Sequence, residues 1–247
     1  MTQRYKATLA YDGGAYAGWQ VQPGQRTIQG ECEAALQQIT GESARIHSSG
    51  RTDTGVHARA QVAHFDLPVP RDAARLLTGL NAVLDGDIRF MELEPVADDF
   101  HARFSALSKE YRYFIWNNRV VPPNLRFYRL QYSRSLDLER MRAAALILEG
   151  EHDFASFCSY RGDGGENTVR RLLKLEVEQD GPEFTVRAVS EGFLYKMVRS
   201  LAGFLIRVGT GRIEVEETSR ILDSRERHEL VPSAKPHGLF LWRVDYL

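Results

Sequence analysis

The alternation of apolar and polar positions sets out a regular series of elements along the 247 residues. Lys6 to Tyr11 alternates and then meets Asp12-Gly13-Gly14, which predicts a strand closed by a turn. Ile28, Cys32, Ala35, Leu36 and Ile39 fall on one face of a helix running from Thr27, a capping residue, to Thr40, with Gly41 as its stop. Ala44 to Ser48 and Ala60 to Leu67 read as strands, separated by a polar, glycine-bearing loop over 49–55. A helix over 71–84 and a strand from Ile88 to Leu93 follow, so the first half runs β-α-β-β-α-β.

The second half gives a similar series. Glu110 to Asn117 is aromatic and alternating, which predicts a strand, and 136–148 carries Leu138, Met141, Ala145 and Leu148 at helical spacing. Leu172 to Glu178 and Phe184 to Val189 predict a hairpin around Asp180-Gly181-Pro182. A helix over 196–208, a short polar helix between 214 and 223, and a strand from Leu239 to Val244 complete the chain. Two successive split β-α-β units point to an internal duplication of a ferredoxin-like or RNA-recognition-like fold. The fold class expected is therefore α+β: two subdomains forming one extended mixed, mainly antiparallel sheet with a central cleft. The boundary falls near residue 105, giving an N-terminal subdomain over 1–105 that carries the polar loop and a C-terminal one over 106–247. The stretch from Asn117 to Ser135, with Pro122-Pro123, reads as a long connection able to serve as a binding loop.

Composition narrows the class. No apolar run approaches the roughly 20 residues that cross a bilayer, and the N-terminus lacks the apolar core of a signal peptide. Two separated cysteines, Cys32 and Cys158, argue against a disulfide scaffold and a cysteine zinc site, and fit a reduced cytoplasm. Net charge is −1, yet its distribution is uneven. Seven Arg or Lys stand against one acid, Glu110, between His101 and Ser135, and four basic residues without an acid lie between Gly192 and Ile213. Such segregation builds either a basic face for phosphate or merely solvated strand and loop positions.

The stretch that carries chemistry is Ser48-Ser49-Gly50-Arg51-Thr52-Asp53-Thr54-Gly55-Val56-His57-Ala58. It links two strands, where reactive groups commonly sit on a rigid sheet. Two glycines bracket a carboxylate and permit backbone conformations that aim Asp53 outward. By itself a G-x-x-D-x-G segment reads as an ordinary Asx turn. The longer string is more specific: Gly50 to Ala58 resembles the hallmark of the tRNA pseudouridine synthase A family, which acts on tRNA positions 38 to 40. Ordered matches extend along most of the chain. Leu9-Ala10-Tyr11-Asp12-Gly13, with Tyr16, Gly18, Trp19 and Gln20, resembles the family's first strand and loop, and Thr27-Ile28-Gln29-Gly30 the start of its first helix. Phe104-Ser105-Ala106 with Tyr111-Arg112-Tyr113 resembles its second motif, Phe193 to Arg199 with Gly203 its third, and Gly238 to Leu241 its closing strand.

The resemblance implies a definite reaction. The bond from ribose C1′ to uracil N1 breaks, the base turns, and C1′ rejoins at C5. This is a net isomerisation, so no cofactor and no metal is expected. What it requires is a carboxylate against the sugar or the ring, and the resemblance assigns that role to Asp53. It also implies Arg199 as the cation serving that carboxylate, with the relative roles of Arg199 and Lys196 left open, Arg51 as a holder of the splayed nucleotide, and Tyr111 as the aromatic platform for the flipped base. Tyr111 and Tyr113 share one face of a strand, so register does not separate them, and motif alignment alone selects Tyr111. The substrate implied is tRNA, bound by a cytoplasmic homodimer with no membrane association.

Rival readings leave marks of their own. Asp53-Thr54-Gly55 spells the D-T-G of aspartic proteases, but those need two aspartates sharing a proton, and Arg51 opposes that sharing. Paired recognition-like folds with basic faces also bind RNA without catalysis, and the discriminator is Asp53, from which a pure binder gains nothing. His47, His57 and His64 match no familiar zinc spacing and read as polar strand or loop residues.

Overall fold

Tyr5, Ala7, Leu9 and Tyr11 of the first strand are buried, and the residues between them are only half-buried. That two-residue period is what a pleated strand with one face on a core requires. The computed structural model to which it belongs describes residues 2–159, 167–227 and 229–247. In chain order the elements are β1 (Gln3–Tyr11), α1 (Ile28–Thr40), β2 (His47–Ser48), β3 (His57–Leu67), α2 (Ala73–Val83), β4 (Ile88–Val96), β5 (Ser108–Trp116) and β6 (Leu130–Gln131). There follow α3 (Leu138–Leu148), β7 (Gly150–Asp153), β8 (Val169–Asp180), β9 (Glu183–Ser190), α4 (Met197–Gly209), α5 (Glu217–Asp223) and β10 (Leu239–Asp245). The chain is α+β and divides into two compact units, Met1–Leu107 with Phe240–Leu247, and Ser108–Leu239.

In the first unit β1 is flanked by β3 and β4, both antiparallel to it, with Tyr5 opposite Phe65 and Pro95. The far edge of β3 is shared. β2 pairs with it antiparallel at His64 and Ala63, and β10 pairs parallel at His57 and Ala58. The strand order β4-β1-β3-β2 is that of a split β-α-β unit. Both of its helices start where the side chains dictate. The Thr27 hydroxyl accepts the N–H of Gly30 to open α1, and the Asp72 carboxylate accepts that of Arg75 to open α2. Gly41, in the left-handed region at φ 76°, closes α1.

In the second unit the order is β5-β9-β8-β7, all antiparallel, with the short β6 parallel to β5. Gly181, at φ 55°, makes the β8–β9 turn. Helix α4 is the most deeply buried element, with Met197, Leu201, Ala202, Phe204, Leu205 and Val208 wholly inside. On β5, Glu110 is buried and ion-paired to both Arg112, at 2.7 Å, and Arg187, at 3.2 Å. These two cations hold its carboxyl below the usual range against the opposing pull of burial.

The structure corrects the sequence reading at three places. The strand expected over 44–48 pairs only at His47 and Ser48. Ile46 is nevertheless buried, because its N–H donates to Glu33 Oε1 and its carbonyl accepts from Gln29 Nε2, so α1 side chains replace a strand partner. Ile39, expected inside, is 38% exposed at the end of α1. Strands β6 and β7 carry no alternating apolar pattern and were not expected.

Candidate active site

The loop between β2 and β3 is held from below by a buried polar chain. Ser49 N–H donates to the Val62 carbonyl at 2.7 Å, and the Ser49 hydroxyl to Gln61 Oε1 at 2.7 Å. Gln61 Nε2 in turn donates to the carbonyl of Gly50 at 2.8 Å. Thr52 turns inward, where its hydroxyl shares a 2.9 Å hydrogen bond with that of Tyr11, and its carbonyl accepts the N–H of Trp19 at 3.0 Å. The Val56 N–H closes a turn onto the Asp53 carbonyl at 3.0 Å, with Gly55 at φ 75° in the third position. That position favours a residue without Cβ. With Thr52 and Val56 facing in, Arg51 and Thr54 are exposed and Asp53 is half-buried. A backbone tied at these points thus carries Asp53, half-buried, in the loop. Arg51 shares its loop.

At the end of this loop His57 is buried and its ring stacks on Phe240 at 4.7 Å. Its Nδ1 lies 3.1 Å from the Gly13 N–H and 3.0 Å from Asp12 Oδ1, so it joins the loop to the turn after β1. The sequence alone predicts for His57 only a polar strand or loop position. Its bond to Asp12-Gly13, like that of Tyr11 to Thr52, spans more than 40 residues of chain, which no local pattern reveals.

The other expected site residues lie in the second unit. Tyr111 and Tyr113 both sit on β5, and their surroundings separate them. Tyr113 is wholly buried and its hydroxyl donates to the Lys235 carbonyl at 2.8 Å, while burial pushes its ionisation up against the pull of Arg199. Tyr111 is 8% exposed, and the edge of one ring meets the face of the other where it packs on Phe193 at 5.1 Å. Arg199, in the first turn of α4, donates from Nε to the Ala234 carbonyl at 2.8 Å, and the Ala234 N–H returns to the Arg199 carbonyl at 2.9 Å. A Cβ on Gly203 would stand 2.1 Å from the Pro232 carbonyl oxygen, so this glycine lets the 232–234 segment lie against the helix that carries Arg199. Lys196 takes a left-handed conformation at φ 59° just before α4, its ammonium 4.9 Å from the centre of the Tyr195 ring. A non-glycine residue held there signals a conformation imposed by its surroundings. Arg199 and Lys196 are therefore held in different ways, one by a backbone carbonyl and one over a ring.

His47 and His64 come together with His101, ring centres 4.6 to 6.2 Å apart, while His57 lies elsewhere. Among the described residues no group of three His, Cys, Asp or Glu is arranged to hold a metal ion. His64 Nδ1 accepts the Ala102 N–H, and burial, reinforced by His101, Arg4 and His47, lowers its pKa from 6.5 to about 4. An unfolded chain takes up that proton below about pH 6.5, so stability should be full above it and fall as pH drops toward 4. Urea midpoints at pH 7.5 and 4.5 should differ, and His64→Asn, whose Oδ1 can still accept from Ala102, should shrink the difference. An undiminished difference would assign the acid loss to carboxylates such as Asp66, which its bond to Arg4 holds below the usual range.

Comparison with known proteins gives a consistent result. A sequence model of the family described as tRNA pseudouridine synthase matches residues 7–105 and 144–247. The chain is 44% identical over 246 residues to tRNA pseudouridine synthase A of Listeria monocytogenes serotype 4a, covering 98% of this chain and 99% of the relative. It is 42% identical over 247 residues to the protein of that name from Geobacillus kaustophilus, covering 100% and 95%. It is likewise 42% identical over 245 residues to that of Bacillus subtilis strain 168, covering 98% and 99%.

Proposed function

The chain belongs to the tRNA pseudouridine synthase family, and from that premise we propose that Asp53 is its catalytic carboxylate, acting on uridines 38 to 40 of the anticodon stem-loop. Membership makes the protein an isomerase of tRNA uridine and sets aside the reading of a non-catalytic RNA-binding module. In the reaction the C1′–N1 bond breaks, uracil turns, the C1′–C5 bond forms, and C5 loses its proton while N1 gains one. Nothing is oxidised. Asp53 serves this exchange as nucleophile or base once the base is out of the stack.

The observation that carries the assignment is the construction of the 49–57 loop. Its backbone is bonded to Val62, Gln61 and Trp19, and its inward side chains are buried. Asp53 is the carboxylate such a loop holds in a fixed direction, as a reacting group needs. Arg51 holds the splayed nucleotide, Arg199 serves the carboxylate, and Tyr111 receives the flipped base. The working form is a cytoplasmic homodimer. No helix among the described residues is long and apolar enough to cross a membrane.

The test is tritium release from tRNA labelled at uracil C5, because forming the new bond must expel that hydrogen. Release is expected from transcripts with uridine at 38, 39 or 40 and should vanish when cytidine replaces uridine at all three. Undiminished release from the replaced transcript would move the target out of the anticodon stem-loop.

A further inference from the structure

The turn after β1 presses on the loop that carries Asp53 at two points where a methyl group does not fit. A Cβ on Gly13 would lie 2.0 Å from the Val56 carbonyl oxygen and 2.6 Å from its carbon. One on Gly18 would lie 2.6 Å from the Thr52 carbonyl oxygen and 3.1 Å from the Asp53 carbonyl carbon. These partners are backbone atoms, so no side chain can swing aside. Between the two contacts lie Thr52 to Val56, with Asp53 inside the interval. Hydrogen bonds complete the grip: Trp19 N–H to the Thr52 carbonyl, Gly13 N–H to His57 Nδ1, and the Tyr11 hydroxyl to that of Thr52.

Which side would yield to an added methyl follows from what backs each. The 12–19 turn is anchored to the first turn of α1, where Ile28 and Gln29 donate to the Gly18 and Trp19 carbonyls. Ala17 N–H donates to the Arg26 carbonyl and Tyr16 hydroxyl to Asp87. Tyr16 and Trp19 are buried. The turn is a wall, and the 52–56 loop rests on it. From this geometry we propose that Gly13 and Gly18 are positioning residues, fixing the direction of the Asp53 carboxylate by letting its backbone seat against that wall. The proposal rests on the reading of Asp53 as the catalytic carboxylate, and neither glycine touches substrate.

The chain supplies its own control. Gly24 lies at φ 69°, close to the 87° of Gly18, but a Cβ there would meet nothing within 4 Å. Gly24→Ala therefore introduces left-handed strain without crowding, Gly13→Ala introduces crowding without that strain, and Gly18→Ala introduces both. Single-turnover tritium release, tRNA affinity and thermal unfolding are measured for each. Gly13→Ala and Gly18→Ala are expected to slow release by about a hundredfold with tRNA affinity kept within about threefold, since misplacement by about an ångström costs on that order. Gly24→Ala should match wild type in release and tRNA affinity, its strain showing only as a small loss of thermal stability. Tyr11→Phe removes one tie to the loop without adding bulk and should slow release by roughly tenfold. A folded Gly13→Ala protein with wild-type release would overturn the proposal. Where the glycine variants do not fold, wild-type release by Tyr11→Phe would overturn it instead. Asp53→Asn in the same assay separates the two readings. Release by that variant removes the role of Asp53 itself, whereas its inactivity alongside active glycine variants removes only the positioning role.

Discussion

The Asp53→Asn protein is expected to release no tritium above background from C5-labelled tRNA, while binding that tRNA as wild type does. The substitution keeps the shape of the side chain and removes its charge. The ties that hold the 49–57 loop run through the Ser49, Gly50, Thr52 and Val56 backbone and the side chains of Ser49, Thr52 and Gln61. They should survive in the variant, and so should the fold. An amide oxygen is a far poorer nucleophile and base than a carboxylate, and a loss of at least about 10³-fold is expected, corresponding to roughly 4 kcal/mol of barrier. Affinity for tRNA is expected to rest chiefly on phosphate contacts away from Asp53 and so should be little changed. Release within tenfold of wild type would end the assignment of Asp53. Loss of release together with loss of tRNA binding would show a damaged surface rather than a missing reacting group, and Asp53→Glu, folded but slow, would then be the variant to compare.

Much of the fold was legible because its elements are marked by local chemistry. Thr27 and Gly41 bracket α1 in the sequence and cap it in the structure, and Gly181 makes the turn that Asp180-Gly181-Pro182 announces. The signal fails where burial and pairing part company. Ala44 to Ile46 alternates like a strand, yet Ile46 is satisfied by Gln29 and Glu33 of α1, so its pattern records a buried face and not a sheet partner. Gly150 to Asp153 pairs with β8 as a polar edge strand, for which no apolar alternation is needed. The string from Gly50 to Ala58 marks the loop proposed as the site, but not the contacts that seat it. Gly13, Gly18 and Tyr11 meet that loop from a distance in the chain, and a glycine's reason for being small shows only when the backbone it faces is known. Tyr111 and Tyr113 illustrate the same limit. Their shared face follows from the period of a strand, whereas the Lys235 carbonyl that takes the Tyr113 hydroxyl comes from 122 residues away.

Arg199→Lys is expected to lower kcat/KM by about a hundredfold or more, despite keeping the positive charge. Arg199 is half-buried in the first turn of α4, and its guanidinium is oriented by the bond from Nε to the Ala234 carbonyl. The segment that offers this carbonyl lies flush on the helix only because Gly203 leaves room for Pro232. A lysine has no Nε donor at that distance along its stem, so its ammonium would be a flexible point charge where a planar, pinned fork had been. For the proposed role of serving the carboxylate, geometry matters as much as charge, and one misdirected donor in such a role costs roughly 3 to 4 kcal/mol. Arg199→Ala should be at least as slow, and both variants should unfold within a few degrees of wild type, because helix α4 is held by its apolar face. A Lys variant that keeps wild-type turnover while the Ala variant loses it would reduce the requirement to charge alone. Wild-type turnover by both would remove Arg199 from the site and leave its bond to Ala234 as a purely structural tie.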